Sequence, residues 1–300
     1  MAKPRLATVA LGGCEGCHVS LIDAHEGLID LLALVDLVNT PYTGPDELPD
    51  HVDVVLVEGP IQTEDDAARL RRAREVAGTL VAMGSCAVLG GIGGLRNLSH
   101  RREVLGRAFG DVGAVEKRAD GVPKMNQRCR PIADFVQVDY TVPGCAPETE
   151  TIFACVGAVL AGEPYDPPRR NLCDECPRVK DKMLHHTQEF ISDNVFALME
   201  LDEIDPDACF LEQGVVCMGP MTREGCGAKC TSVSVPCRGC MGPSRLEFEQ
   251  GGKAVDALAA VLPAGALMYM EDLIGTSYRF SLPVSVFPGV VDSEGGEFDA

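Results

Sequence analysis

Apolar residues in the first half of the chain fall into short dense runs. Residues 5–11 (RLATVAL), 52–57 (VDVVLV), 79–83 and 135–142 each read as a buried strand, and the first three end in glycine while the last ends in Pro143-Gly144. Between them the period changes. Leu21, Ile22, Leu28, Ile29, Leu32 and Val35 recur at helical spacing and predict a helix over 19–35. Thr63 followed by Asp66 resembles a capping box that opens a second helix running to about Ala77, and 148–161 predicts a third. Strands apolar along their whole length, alternating with helices, predict an α/β domain with a doubly wound, mainly parallel sheet covered on both faces.

Residues 162–170 (GEPYDPPRR) carry three prolines in nine positions, which breaks the pattern and marks a boundary between domains 1–163 and 164–300. Beyond it apolar runs are few, Gly and Pro are frequent, and one helix is predicted at 253–261. Eight of the fourteen cysteines lie between Cys173 and Cys240, so a segment with little core is expected to be organised by bound metal. The acidic, small-residue stretch 292–300 is expected to be mobile.

Charge and composition narrow the classes of function. With 26 basic against 45 acidic residues the net charge is −19, and there are only 5 Tyr, 10 Phe and no Trp, so no nucleic-acid partner is expected. No run of roughly 18 apolar residues exists to span a bilayer. The first apolar stretch is too short for a secretory segment, and the Arg-Arg pairs at 71–72, 101–102 and 169–170 are internal. A cytoplasmic, reducing setting is expected, where paired cysteines bind metal or do redox work.

Cys14, Cys17, Cys86 and Cys145 each follow a predicted strand. In a parallel sheet those strand ends share one edge, so four thiolates are expected to converge there as ligands of a 4Fe-4S cluster or zinc. Cys14 and Cys17 alone also fit a redox dithiol at a helix start. The run Gly90-Gly91-Ile92-Gly93-Gly94 has neither dinucleotide nor phosphate-loop spacing and reads as a tight turn. In the second domain Cys173, Cys176, Cys209, Cys217, Cys226, Cys230, Cys237 and Cys240 divide into two groups of four, which two zinc sites fit as well as two clusters. Cys155 reads as a small core residue on its helix, and Cys129, in a polar stretch, has no evident role.

The runs Gly13-Cys14-Glu15-Gly16-Cys17, Gly84-Ser85-Cys86-Ala87 and Pro143-Gly144-Cys145-Ala146-Pro147 resemble the small, electron-transferring subunit of nickel-iron hydrogenases. Leu172-Cys173-Asp174-Glu175-Cys176, Glu212-Gln213-Gly214-Val215-Val216-Cys217 and Pro236-Cys237-Arg238-Gly239-Cys240 follow in that family's order, and the resemblance spans roughly 5–285. It implies a flavodoxin-like first domain holding a proximal cluster on Cys14, Cys17, Cys86 and Cys145, then a loop-rich iron-sulfur domain. By motif order a distal cluster falls on Cys173, Cys176, Cys209 and Cys217, and a medial one on Cys226, Cys230, Cys237 and Cys240.

Two departures carry meaning. Periplasmic and membrane-bound relatives have histidine where this chain has Cys173, and their medial site lacks the fourth cysteine that Cys230 supplies. Both point to the cytosolic branch, resembling viologen-reducing, heterodisulfide-reductase-associated or deazaflavin-reducing hydrogenases, with three 4Fe-4S clusters. The implied function is electron transfer from H2 oxidation at the nickel-iron centre of a large partner subunit to a soluble acceptor, with no catalytic residue on this chain. The acceptor is expected to be an iron-sulfur or flavin subunit, heterodisulfide reductase among them. The related cluster subunit of quinone-reducing complexes is disfavoured because no Cys-Cys dipeptide occurs, and a zinc-stabilised interaction protein remains the alternative from another class. Glu58, ending the second strand, reads equally as a contact near the proximal site and as a solvated carboxylate.

Overall fold

The computed structural model describes residues 2–42, 47–110, 122–180, 203–244, 249–261 and 266–290; the acidic stretch 292–300 lies outside them. Five parallel strands build the first unit: β1 (Arg5–Ala10), β2 (Asp36–Asn39), β3 (Val52–Glu58), β5 (Ala77–Met83) and β7 (Tyr140–Val142), in the order β2-β1-β3-β5-β7. Counted within the sheet this is 2-1-3-4-5, the flavodoxin-like order, with its switch point between β1 and β3. A two-stranded antiparallel pair, β4 (Ile61–Thr63) with β6 (Met125–Arg130), stands apart from it.

The strands are apolar throughout because both faces are covered. On one face Val55, Val57, Leu80 and Ala82 pack against Leu70, Ala73 and Val76 of α3 (Glu64–Val76). On the other, Leu6, Val54, Leu56 and Val81 meet Leu21 of α1 (Gly16–Ile22), Leu31 of α2 (Glu26–Leu34), and Ile152 and Val156 of α6 (Thr149–Ala161). Two further helices, α4 (Gly84–Leu89) and α5 (Arg101–Phe109), complete the unit's α-helices among the described residues.

Two local expectations are corrected, and one stretch without an expectation is resolved. The helix predicted over 19–35 is broken into α1 and α2, since His25 takes a left-handed φ of 50° between them. Gly27 then brings α2 close to α6, where an added Cβ would lie 2.8 Å from the Phe153 ring. The strand predicted over 135–142 shrinks to β7. Its approach is a 3-10 turn, Ile132–Asp134, and Asp139 instead ties to β5, accepting from Leu80 N at 2.8 Å while paired with Arg74 at 2.6 Å. The polar stretch around Cys129 is strand β6. Asn97 supplies it with a side-chain partner, accepting from Cys129 N at 2.8 Å and donating to Cys129 O at 2.9 Å, so the backbone of Cys129 is satisfied inside the protein.

The chain divides into two compact units, one reaching to Pro167 and taking in the stretch from Phe280 onward, the other Pro168–Arg279. The returning stretch is held in the first unit by Pro283, which fills the space over Gly90 and Gly94, and by Asn97 Nδ2 donating to Pro288 O at 3.0 Å. In the second unit, 3-10 turns at Leu172–Asp174, Phe210–Gln213 and Gly219–Met221 join three helices, α7 (Lys229–Ser232), α8 (Gln250–Val261) and α9 (Leu273–Ser277). Its core, Leu172, Phe210, Leu211, Met218, Met221 and Leu258, is small and includes Cys217 and Cys237. No described helix is long and apolar enough to cross a membrane.

Two measurements test this account. The capping box is present, with Thr63 accepting from Asp66 N at 3.2 Å and the Asp66 carboxylate accepting from Thr63 N at 2.8 Å, so Thr63→Ala is expected to cost about 1 kcal/mol in urea unfolding. Cys155 is fully buried and its thiol is pushed up from 9.0 to about 12 by that burial. Above the unfolded value the unfolded chain sheds a proton that the folded chain keeps. Its contribution is therefore intact below pH 9.0 and is lost toward pH 12, at about 1.4 kcal/mol per pH unit. Unfolding of wild type and Cys155→Ala across this window should differ by that slope.

Candidate metal centre

The last rung of the sheet runs Ala10, Glu58, Met83 and Val142 across β1, β3, β5 and β7. Cys14, Cys86 and Cys145 follow that rung by three or four residues, and Cys17 starts α1, so the carboxyl edge collects all four. Their loops are tied together. Ser85 N donates to Gly144 O at 2.8 Å and Gly144 N to Ser85 Oγ at 3.0 Å, joining the Cys86 and Cys145 turns. Ser20 Oγ donates to Pro147 O at 2.6 Å and Thr149 Oγ1 to Ser20 O at 2.8 Å, joining α1 to the Cys145 loop.

Burial pushes the Cys17 thiol far up, and the charges of Glu58, Cys86, Cys145 and Cys14 add to it. Cys86 is pushed up to about 12, first by burial and then by Cys145, Cys14 and Glu58. Cys145 is raised as well, by burial first and then by Cys14 and Glu58, and thiols held neutral in this way become thiolates together only when a cation compensates them, which is what a metal centre does. Glycine makes room for them: Gly84 (φ 87°) and Gly91 (φ 61°) hold backbone where a Cβ would overlap the sulfurs of Cys17 and Cys86.

Glu58 is 2% exposed, so the solvated reading of this carboxylate is corrected. Its Oε2 accepts from His18 N at 3.0 Å and from His18 Nδ1 at 2.6 Å, which locks the first turn of α1 to the end of β3 at the switch point. His18 is 1% exposed, and its Nε2 finds no hydrogen-bond partner among the described residues. Sequence reading passed over His18; the only signal was a histidine directly after the cysteine pair.

In the second unit Cys173, Cys176, Cys209 and Cys217 line one cavity of about 400 Å³, together with Arg178 and Phe210. Gly219 sits between two of the sulfurs, an added Cβ there lying 3.3 Å from Cys173 Sγ and 3.6 Å from Cys217 Sγ. The Cys173 thiol is pushed up to about 12 by its limited hydration first and then by Cys217, Cys209 and Cys176. Cys226 is pushed up to about 11 by burial, eased by the Ala228 N–H, and raised further by Glu175, Cys240 and Cys230. Cys237 is raised by burial and then by Cys217 before Cys240, so it stands between the two groups of four.

The donor set fits an iron-sulfur centre in its chemistry: four cysteine sulfurs line one cavity, and thiolates are the ligands such clusters take. Among the described residues no three His, Cys, Asp or Glu side chains form a group that could hold a single metal ion. Cys129 and Cys155 stand outside the groups, both buried.

Known proteins resemble this chain over nearly its whole length. A subunit of the F420-non-reducing hydrogenase of Methanothermobacter thermautotrophicus is 35% identical over 98% of this chain and 99% of its own. The chain belongs to the nickel-iron hydrogenase small-subunit family. A further relative, the iron-sulfur subunit of the F420-non-reducing hydrogenase of Archaeoglobus profundus, is 29% identical over 93% of this chain and 96% of its own. Residues 14–159, from the first cysteine into α6, match the family described as NADH ubiquinone oxidoreductase, 20 Kd subunit. The fold is shared with H2-activated NiFeSe hydrogenase of Dm. baculatum, at 19% identity and a TM-score of 0.51 over 88% of this chain and 100% of that one. The chain is thus a subunit of a hydrogenase, an oxidoreductase complex, and the family pairs it with a large subunit.

The glycine positions give a direct test. Gly84→Ala should leave far-ultraviolet circular dichroism unchanged while lowering bound iron by about four per chain, because the added methyl takes the place of the Cys17 sulfur.

Proposed function

We propose that this hydrogenase subunit is the electron carrier of its complex. Three 4Fe-4S clusters supply one-electron carriers when bound, and through them electrons from H2 oxidation at the nickel-iron centre of the large subunit leave for a soluble acceptor. Cys14, Cys17, Cys86 and Cys145 hold the proximal one, Cys226, Cys230, Cys237 and Cys240 the medial one, and Cys173, Cys176, Cys209 and Cys217 the distal one. The observation that carries this reading is the set of four cysteines round a single cavity, matched at the sheet edge by four more, of which Cys17 and Cys86 are held neutral by burial and by the charges of their neighbours.

The protein's part is to hold, shield and tune. Burial of Cys17, Cys217 and Cys237 keeps water from the sulfurs, and backbone N–H groups reach them, as Gly239 N does to Cys237 Sγ at 3.4 Å. Val19 and Ile22 lie exposed on α1, the helix that carries Cys17, which supports a partner subunit covering that face. The name shared by the relatives, F420-non-reducing, supports an acceptor other than that deazaflavin, with heterodisulfide reductase or a flavin subunit in that role. The division into units supports separate housing for the first cluster and for the other two. A cytoplasmic setting belongs to the same proposal, supported by fourteen free thiols.

Iron analysis and electron paramagnetic resonance test the whole reading. The anaerobically purified complex should be brown, with about twelve irons for each copy of this chain and no 3Fe signal. Cys230→Ala should bring up a 3Fe signal. A colourless, zinc-replete chain from an iron-sufficient host would end the electron-transfer reading.

A further inference from the structure

Arg178 comes two residues after Cys176 and is 9% exposed, in the wall of the cavity that Cys173, Cys176, Cys209 and Cys217 line. Its guanidinium donates four hydrogen bonds, each to a neutral acceptor. Nε donates to Thr231 O at 3.0 Å, Nη1 to Asp205 O at 2.8 Å and Ala208 O at 2.9 Å, and Nη2 to Ser234 Oγ at 3.0 Å. The guanidinium carbon also stands 3.9 Å from the centre of the Phe210 ring. The Asp205 carboxylate is turned elsewhere, accepting from Asp207 N at 2.9 Å and Ala208 N at 3.2 Å, and Arg178 forms no ion pair among the described residues.

An arginine stays protonated even when buried, and a buried cation without a carboxylate needs negative charge from some other source. Carbonyl dipoles and the Phe210 face offset part of that cost. The ionisable groups that share its cavity are the four thiols and Lys180, and of these only the thiols can carry negative charge. We propose that Arg178 is the positioning and charge-setting residue of this centre. Its guanidinium pins the backbone beside Cys209 and the α7 segment that follows Cys230, and it holds one positive charge against the group that the four thiolates bind. The proposal rests on reading those four cysteines as cluster ligands. A cluster held by four thiolates is anionic, and reduction adds one electron to it with no change in its ligands, so a fixed cation favours the reduced state. Nothing in the run Cys176-Pro177-Arg178 says that the arginine turns inward; the structure alone places it there.

The test is a potentiometric titration of the purified hydrogenase complex with dithionite, followed by electron paramagnetic resonance, in wild type, Cys173→Ser, Arg178→Gln and Arg178→Lys. Cys173→Ser identifies the signal of this centre by altering it. Arg178→Gln should lower the reduced-to-oxidised ratio of that one signal about tenfold at a fixed potential, about 59 mV for a one-electron couple, and leave the others in place. Arg178→Lys, which keeps the charge, should stay close to wild type. If Arg178→Gln loses this cluster, retention at the wild-type potential in Arg178→Lys supports the proposal, and loss from both variants overturns the assignment of charge. A full iron complement with an unmoved potential in Arg178→Gln overturns it, as do equal shifts in both variants. If Cys173→Ser alters no signal and loses no iron, the ligand reading itself fails, a result separate from any behaviour of Arg178.

Discussion

Negative charge on sulfur is costly inside a protein unless a cation stands beside it, and this chain gathers thiols in enclosed places. Cys17, Cys217 and Cys237 are each below a tenth exposed, and each has other cysteines within electrostatic reach. Without metal they are held neutral; with metal the same crowding becomes binding energy, because the positive centre turns mutual repulsion into shared attraction. The first unit accommodates this on a large apolar sheet that folds on ordinary principles. The second has a small core into which Cys217 and Cys237 are themselves packed, so its organisation and its metal chemistry are one problem.

The sheet solves convergence by register. Ala10, Glu58, Met83 and Val142 stand on one rung, so loops leaving β1, β5 and β7 start from the same level and need only short excursions to bring Cys14, Cys86 and Cys145 together. Buried polar groups then fix the excursions. Glu58 holds α1 through two contacts to His18, and Ser85 and Gly144 exchange hydrogen bonds between neighbouring turns. A loop alone would leave these sulfurs loosely placed; a strand end with a reciprocal hydrogen bond does not.

Charge is also used selectively. A chain of net charge −19 buries a carboxylate at the first site, satisfied by a histidine, and a guanidinium at the cavity of the second, satisfied by carbonyls. Net charge describes the outer surface and the partners it attracts or repels. The local sign beside each group of thiols is a separate quantity, set by a few inward-facing side chains.

Sequence alone determined the α/β class, where the strands of the sheet end, and the capping box at Thr63 and Asp66, since apolar period and turn residues are local properties of a chain. It also separated Cys155, which apolar neighbours mark as core. It misjudged the residues whose state depends on distant partners. The helix over 19–35 breaks at His25, and β7 is cut short where Asp139 turns to Leu80 and Arg74. Glu58, for which the sequence left a solvated and a site-facing reading open, is buried against His18, and Arg178, which the sequence does not single out, is buried where the carbonyls of Asp205, Ala208 and Thr231 accept from it. Which sulfur faces which was likewise decided by tertiary structure, because it depends on strand order and register and not on spacing along the chain.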